Sequence, residues 1–219
     1  MGDRATDVRD ITIPGDTRDA GWAGNTLLAP GAGIGGGGSH MYRSGDSGAT
    51  WTDLTKTITG AEPTDQGVSL DTPYFSPVIS LGDGTAVVLE ETITNAGVSA
   101  KALRFAQDGT WTEVASFLVA GDFGGGPGGV TATAYGTDAI IVPGIDGTTF
   151  QVVAMDGTVS TITAVGLPVA PNGLSLSFQD ASNGLAQVTV SGCANDKTNC
   201  ASTTTIYATT DGGRSWSGV

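Results

Sequence analysis

The chain is short of most residue types that do chemistry or grip polyanions. It holds one histidine and two cysteines in 219 residues, fewer than the four ligands of a structural zinc site built from His and Cys. Nine Lys and Arg stand against 22 Asp and Glu, for a formal charge of −13. Such a surface repels nucleic acid and anionic lipid, which argues against a phosphate-reading role. No apolar run approaches the roughly 20 residues of a membrane-spanning helix. The opening "MGDRATDVRD" lacks the basic and apolar regions of a signal peptide, so either the chain begins after a removed signal or the protein is cytosolic. Stretches free of turn-forming residues are scarce as well, which argues against long helices.

What is abundant points the other way. Thirty-five Gly and nine Pro, with many Thr, Ser and Val, describe short strands joined by tight turns, the all-β class. Cys193 and Cys200 bracket the polar loop "ANDKTN". The spacing predicts a small disulfide-closed ring, and hence an oxidising compartment, over two free thiols.

One pattern recurs along the chain. "SHMYRSGDSGATWTDL" places Ser44, Asp46, Gly48, Thr50 and Trp51 after an alternating run, and "IYATTDGGRSWSGV" places Thr209, Asp211, Gly213, Ser215 and Trp216 in the same order. Shortened copies lie between them. "LRFAQDGTWTEV" carries Asp108 and Trp111, and "FQVVAMDGTVSTI" carries Asp156 with Val159 where Trp would stand. The four Asp positions are separated by 62, 48 and 55 residues, intervals that suit four-stranded blades. Alternation then predicts strands at 10–14, 25–30, 40–44 and 50–54, and at 74–80, 85–92, 99–106 and 109–117. It predicts others at 130–135, 138–143, 148–154 and 158–165, and at 173–178, 184–190, 204–209 and 214–219. The units run over about 8–58, 70–118, 129–166 and 172–219 of a single domain.

Ser/Thr-x-Asp-x-Gly-x-Thr/Ser-Trp resembles the Asp-box, or BNR repeat, of sialidase-like β-propellers and related propellers such as xyloglucan-degrading enzymes and photosystem II assembly factors. The resemblance implies an all-β propeller of antiparallel four-stranded blades, four in this chain, either a whole small propeller or a portion of a larger one. In that family the boxes cap hairpins on the side away from the ligand face. The resemblance therefore implies structural roles for Ser44, Asp46, Gly48, Trp51, Asp108, Trp111, Asp156, Thr209, Asp211, Gly213 and Trp216. Physical chemistry agrees: Asp46 and Asp211 can accept hydrogen bonds from turn N–H groups, Gly48 and Gly213 supply positive φ, and the Trp rings pack under the turns.

The resemblance also implies what sialidase chemistry would need: three arginines on the substrate carboxylate, a tyrosine nucleophile with a glutamate, an acid/base aspartate and a Phe/Tyr-Arg-Ile-Pro motif. That motif is absent, and "YRSG" at 42–45 belongs to a box. Of the six arginines, Arg4 lies in the tail and Arg43 and Arg214 in box hairpins, which leaves Arg9, Arg18 and Arg104 for a clamp. Glu90 and Glu91 could suggest the paired carboxylates of a glycoside hydrolase, but neighbours on a strand point to opposite faces. Arg18, Arg104 and Glu90 remain the catalytic candidates. His40, with no Ser/Asp arrangement around it in sequence, gives no expectation of a triad or a metal site.

On a propeller the second-to-third and fourth-to-first connections open on the binding face. Those stretches hold Asp65, Asp71, Tyr74, Asp122, Phe123, Asp146, Asn195 and Asp196, the candidate binding residues. "GAGIGGGG" is followed by a strand and no Lys-Ser/Thr, so it is not a phosphate loop. "GGGGSHM" at 35–41 reads either as a native loop or as an engineered junction. The expectation is a binding or scaffold module that is not a catalyst, secreted, periplasmic or cell-surface, without cofactor or metal. Its ligand would be a glycan or a protein, with self-association to complete a propeller a further option. The alternatives are a glycoside hydrolase, sialidase-like or another exo-glycosidase, and a protein-assembly factor.

Overall fold

The structure, a computed structural model, describes residues 12–14, 16–17, 20–32, 39–60, 73–94, 97–120, 131–144, 146–169, 171–193 and 200–219. Its strands form four antiparallel sheets in chain order. The first holds β1 (Asp16–Thr17), β2 (Gly21–Ala23), β3 (Thr26–Ala32), β4 (Ser39–Ser44) and β5 (Thr52–Asp53). The second holds β6 (Tyr74–Phe75), β7 (Ile79–Ser80), β8 (Ala86–Thr94), β9 (Gly97–Phe105) and β10 (Trp111–Ala120). The third is β11 (Thr133–Ala134), β12 (Ala139–Pro143), β13 (Thr149–Ala154) and β14 (Val159–Thr163). The fourth is β15 (Gly173–Phe178), β16 (Gly184–Cys193), β17 (Cys200–Thr209) and β18 (Ser217–Gly218).

Each sheet has four strand positions, the blade of a β-propeller. In the first two sheets two short pieces share the first position: β1 and β2 both pair β3, and β6 and β7 both pair β8. The break in the second sheet falls at Ser76-Pro77-Val78, where Pro77 has no N–H to give the ladder. Ser76 repairs it, its hydroxyl accepting the Leu89 N–H at 2.9 Å.

Burial follows from stacking. Along β8 every residue from Ala86 to Glu91 is buried, because both faces are covered. Ala86 and Val88 face the first sheet, in a core with Leu28, Met41, Phe75, Leu103 and Phe105. Val87 and Leu89 face the third, in a core with Val98, Ile140, Val142 and Val153. Ile141 and Phe150 then face the fourth sheet, in a core with Ala186, Val188 and Trp216. The hydrophobic free energy thus resides between neighbouring sheets rather than within any one of them.

Most predicted strands are present within a few residues of their expected bounds, and three segments differ. Residues 12–14 lie outside any strand; the first position is filled instead by β1 and β2, beyond Pro14. The fourth strand of the first sheet is only Thr52–Asp53, and the chain then enters a helical turn, α1 (Thr55–Thr59), which the all-β reading did not include. Asp53 starts that turn by accepting the Thr55 N–H at 2.8 Å, and Ile58 buries itself against the first core. The last strand is only Ser217–Gly218, because the Trp216 N–H goes to Val165 O at 2.9 Å rather than to β17.

Candidate functional site

The four box motifs occupy the hairpins between third and fourth strands. At the first, Asp46 Oδ1 accepts the Thr50 N–H at 2.8 Å and the Ser44 hydroxyl at 2.7 Å, while Oδ2 accepts the Thr50 hydroxyl at 2.7 Å. Ser44 Oγ in turn accepts the Gly48 N–H at 2.8 Å. The last box repeats this. Asp211 Oδ1 accepts the N–H groups of Arg214 at 3.0 Å and Ser215 at 2.9 Å and the Thr209 hydroxyl at 2.9 Å, and Oδ2 accepts the Ser215 hydroxyl. Thr209 Oγ1 accepts the Gly213 N–H at 3.0 Å. Gly48 and Gly213 have φ of 89° and 88°, the left-handed region that the motif requires.

The shortened boxes keep only the core of the device. Asp108 accepts the Thr110 N–H and hydroxyl at 2.9 and 2.7 Å, and Asp156 accepts the Thr158 N–H at 2.8 Å. Ala106 and Ala154 stand where the hydroxyl residue would, so the second acceptor is missing. Trp216 is buried between Phe150 and Phe178, edge-on to each, and its indole N–H donates to Gly213 O at 2.8 Å. Trp51 and Trp111 are only half-buried.

These bonds set the acidity of the boxes. The Thr50 hydroxyl and N–H, with Ser44, hold Asp46 down to about 2, and the Ser215 hydroxyl and N–H hold Asp211 down to about 2. Carboxylates so fully engaged are poor proton carriers near neutral pH.

The described catalytic candidates are placed as follows. Arg104 pairs with Asp83 and donates to Thr85 Oγ1 at 3.2 Å, at the β7–β8 turn. Glu90 is buried on the face toward the first sheet, where Lys101 Nζ donates to its Oε1 at 3.0 Å. Its Oε2 is buried and has no hydrogen-bond partner among the described residues. Glu91 is buried on the opposite face of β8, with Tyr74 as its cross-strand partner. The two glutamates therefore face different junctions, as their adjacency predicts.

Of the candidate binding residues, Tyr74 and Asp146 are described. Tyr74 is half-buried, and burial raises its phenol pKa. Asp146 serves its own turn, accepting the N–H groups of Thr148 and Thr149 at 2.8 Å each and the Thr149 hydroxyl at 2.7 Å. Burial opposes its ionisation, but these bonds outweigh it and hold the carboxyl below the usual range. Asp65, Asp71, Asp122, Phe123, Asn195, Asp196 and the catalytic candidate Arg18 lie outside the described residues.

One pairing went unseen in the sequence. His40 Nδ1 lies 2.7 Å from Asp53 Oδ2, and Asp53 Oδ1 also accepts the Thr55 hydroxyl at 2.5 Å. The His40 ring stacks on Tyr42, with centroids 5.5 Å apart. Partial burial works against ionising Asp53, but the bonds from Thr55 and His40 prevail and lower its pKa. The two residues are 13 apart, and only the register of the β4–β5 hairpin, with Tyr42 opposite Asp53, brings them together. Among the described residues no three His, Cys, Asp or Glu side chains gather as metal ligands.

No protein-family model matches the chain, and no curated protein matches it. Solved β-propellers do. Virginiamycin B lyase from Staphylococcus aureus is 11% identical over 94% of this chain and 67% of its own, with a TM-score of 0.48. The β-propeller domain of the Trilobed protease from Pyrococcus furiosus is 8% identical over 93% of this chain and 57% of its own, with a TM-score of 0.49. YCF48 bound to D1 peptide is 14% identical over 96% of this chain and 69% of its own, with a TM-score of 0.42. The chain thus spans between 57% and 69% of their lengths. The likeness is one of architecture, and that architecture carries enzymes and binding proteins alike.

Proposed function

We propose that the protein is a binding or scaffold module on a sialidase-like, Asp-box type of propeller, working outside the cell on a glycan or a protein partner rather than as a catalyst. The observation that carries this reading is the state of the described arginines. Arg43 donates to Gly109 O at 3.4 Å, Arg214 to Asp211 O at 2.9 Å, and Arg104 is held by Asp83 and Thr85. All three serve turns. An anionic substrate on a protein of charge −13 needs a cationic clamp, and Arg104, the one clamp candidate among the described residues, is engaged at a turn, Arg9 and Arg18 lying outside them. Neutral glycans and protein partners need no such clamp.

The extracellular part of the reading rests on the cysteines. Cys193 and Cys200 are direct Cα partners at the ends of β16 and β17, a spacing that suits a cross-strand disulfide.

A fluorogenic sialoside assay beside a glycan-array screen tests the reading. The expected result is turnover at background, with retained neutral glycans on the array or, failing those, a captured protein partner. A glycoside hydrolase is the second reading, favoured by the buried Glu90 with one oxygen unpartnered among the described residues. Glycoside turnover well above background, abolished by Glu90→Gln in a protein that still melts cooperatively, would establish it instead.

A further inference from the structure

The two faces of β9 and β10 end differently. On the face toward the third sheet, Val98, Ala100 and Val119 are buried, so that junction stays closed almost to the ends of both strands. On the face toward the first sheet, burial runs through Phe105 and Leu103 and then stops. Lys101 is half-buried, Ser116 beside it on β10 is exposed, and Ser99 and its cross-strand partner Leu118 are exposed, Leu118 to 42%. The first and second sheets therefore part toward the β8–β9 connection, at the height where the second and third remain packed.

Glu90 stands where the closed part of this junction gives way to the open part. Ala86 and Val88, the preceding residues on its face of β8, belong to the first core, and so does Phe75, its cross-strand partner. Glu90 itself is only 6% exposed. Its Oε1 accepts from Lys101 Nζ, and its Oε2 has no hydrogen-bond partner among the described residues. A buried carboxylate oxygen without a donor is costly, so a donor that reaches it is held strongly. The Lys101 side chain is 43% exposed, and its flexible stem can turn the ammonium outward and uncover the carboxylate. The other carboxylate on this face, Glu113, accepts the Ser116 hydroxyl at 2.8 Å. Two carboxylates against one ammonium repel anions and suit hydroxyl donors.

We propose that this opening between the first two sheets binds a neutral sugar, one hydroxyl donating to Glu90 Oε2, a neighbouring hydroxyl accepting from Lys101, and Leu118 lying against the apolar edge of the ring. The acceptor and the donor sit side by side, so the pair reads two adjacent hydroxyls at once. Three strands about 4.8 Å apart, over two residue steps of about 3.3 Å, make a patch of roughly 10 by 7 Å, which suits a single ring. The site rests on the glycan-binding reading above and gives it a place; its readout is affinity, not turnover.

Amide chemical shifts of the isotope-labelled whole chain, titrated with methyl β-glucoside, methyl β-galactoside and methyl α-mannoside from about 1 to about 50 mM, test this directly. The expected result is a saturating change at Ser99, Lys101, Ser116 and Leu118 with at least one of the three sugars. Glu90→Gln should weaken that binding about tenfold, by removing the charged acceptor. Ser99→Trp, at an exposed position, should block it without changing the melting temperature, and Val159→Trp, exposed on the third sheet, should leave it intact. No saturating change with any of the sugars, changes confined to other residues, or full affinity in Ser99→Trp would overturn the site. Glycans retained on the array but mapped to other residues would sink the site alone and leave the binding-module reading standing. Hydrolysis of the same sugars as nitrophenyl glycosides, lost in Glu90→Gln, would sink that reading.

Discussion

A single carboxylate in a turn of this protein does the work of several backbone partners. Asp46 and Asp211 each gather N–H and hydroxyl donors that would otherwise face water across a strained hairpin. Replacing either with Ala should lower the melting temperature by roughly 3–6 °C and leave ligand binding intact. Loss of binding at an unchanged melting temperature would show that the boxes belong to the site. Asp83, Asp108, Asp146, Asp156 and Asp180 use the same chemistry, each accepting a backbone N–H two or three residues on. All have lowered pKa values. The linkage has a definite sign. A carboxyl whose folded pKa lies below its unfolded value of about 3.9 stabilises the fold above that pH and loses the contribution as pH falls. Stability should therefore drop between about pH 4 and the folded value of about 2 at Asp46 and Asp211. Circular dichroism melts across that range should show a shallower loss in an Asp46→Asn, Asp211→Asn double variant than in the parent. The two full boxes were readable in the sequence because their donors sit at fixed offsets from the Asp. The service of Asp146 to its own turn was not, since an acidic loop residue looks the same whether it faces a ligand or its own backbone.

Among the described elements, the connection from the third sheet to the fourth is tied to the last hairpin. The Val165 N–H donates to Arg214 O at 2.8 Å and Val165 O accepts from Trp216, so the segment lies along the edge of the last hairpin. Gly166 follows with φ of 95°, and a Cβ there would come within 2.2 Å of Trp216 O. Gly166→Ala should cost on the order of 2–4 kcal/mol, measured by denaturant unfolding, through strain at that φ and displacement of the buried Trp216. A change below about 0.5 kcal/mol would mean that this contact does not hold the junction. The β16–β17 hairpin carries the other prediction at this scale: thiol counting under denaturing, non-reducing conditions should find no free thiol at Cys193 or Cys200. Two reactive thiols in protein purified under oxidising conditions would remove the argument for secretion. Strand alternation made most of these elements legible, since a two-residue period survives single substitutions. Helix α1 was not, because its sequence "TKTIT" is β-branched and looks like strand. Its turn follows instead from the Asp53–Thr55 bond and the burial of Ile58.

At the scale of the molecule, 22 acids and nine bases keep the folded chain under self-repulsion. Among the described residues, screening would weaken the Lys101–Glu90 and Arg104–Asp83 pairs. Raising ionic strength from about 0.01 to about 0.15 M shortens the Debye length from about 30 to about 8 Å. The melting temperature should rise by a few degrees as a result, and a fall would mean that attractive pairs outweigh the net charge. The propeller plan was visible in the sequence as spacing between boxes, but the exposure of Leu185 and Ile206 on the fourth sheet was not, because they read like any core residues of alternating strands. The placing of the three cores has a consequence for biosynthesis. No blade owns a core, so the first sheet cannot finish burying Leu28 and Met41 until the chain has been made as far as Phe105, and Ile141 and Phe150 wait for Val188 and Trp216. On the ribosome the protein would mature like a zip closing from its N-terminal end, each new hairpin sheltering the one made before it while its own far side waits in water for the next.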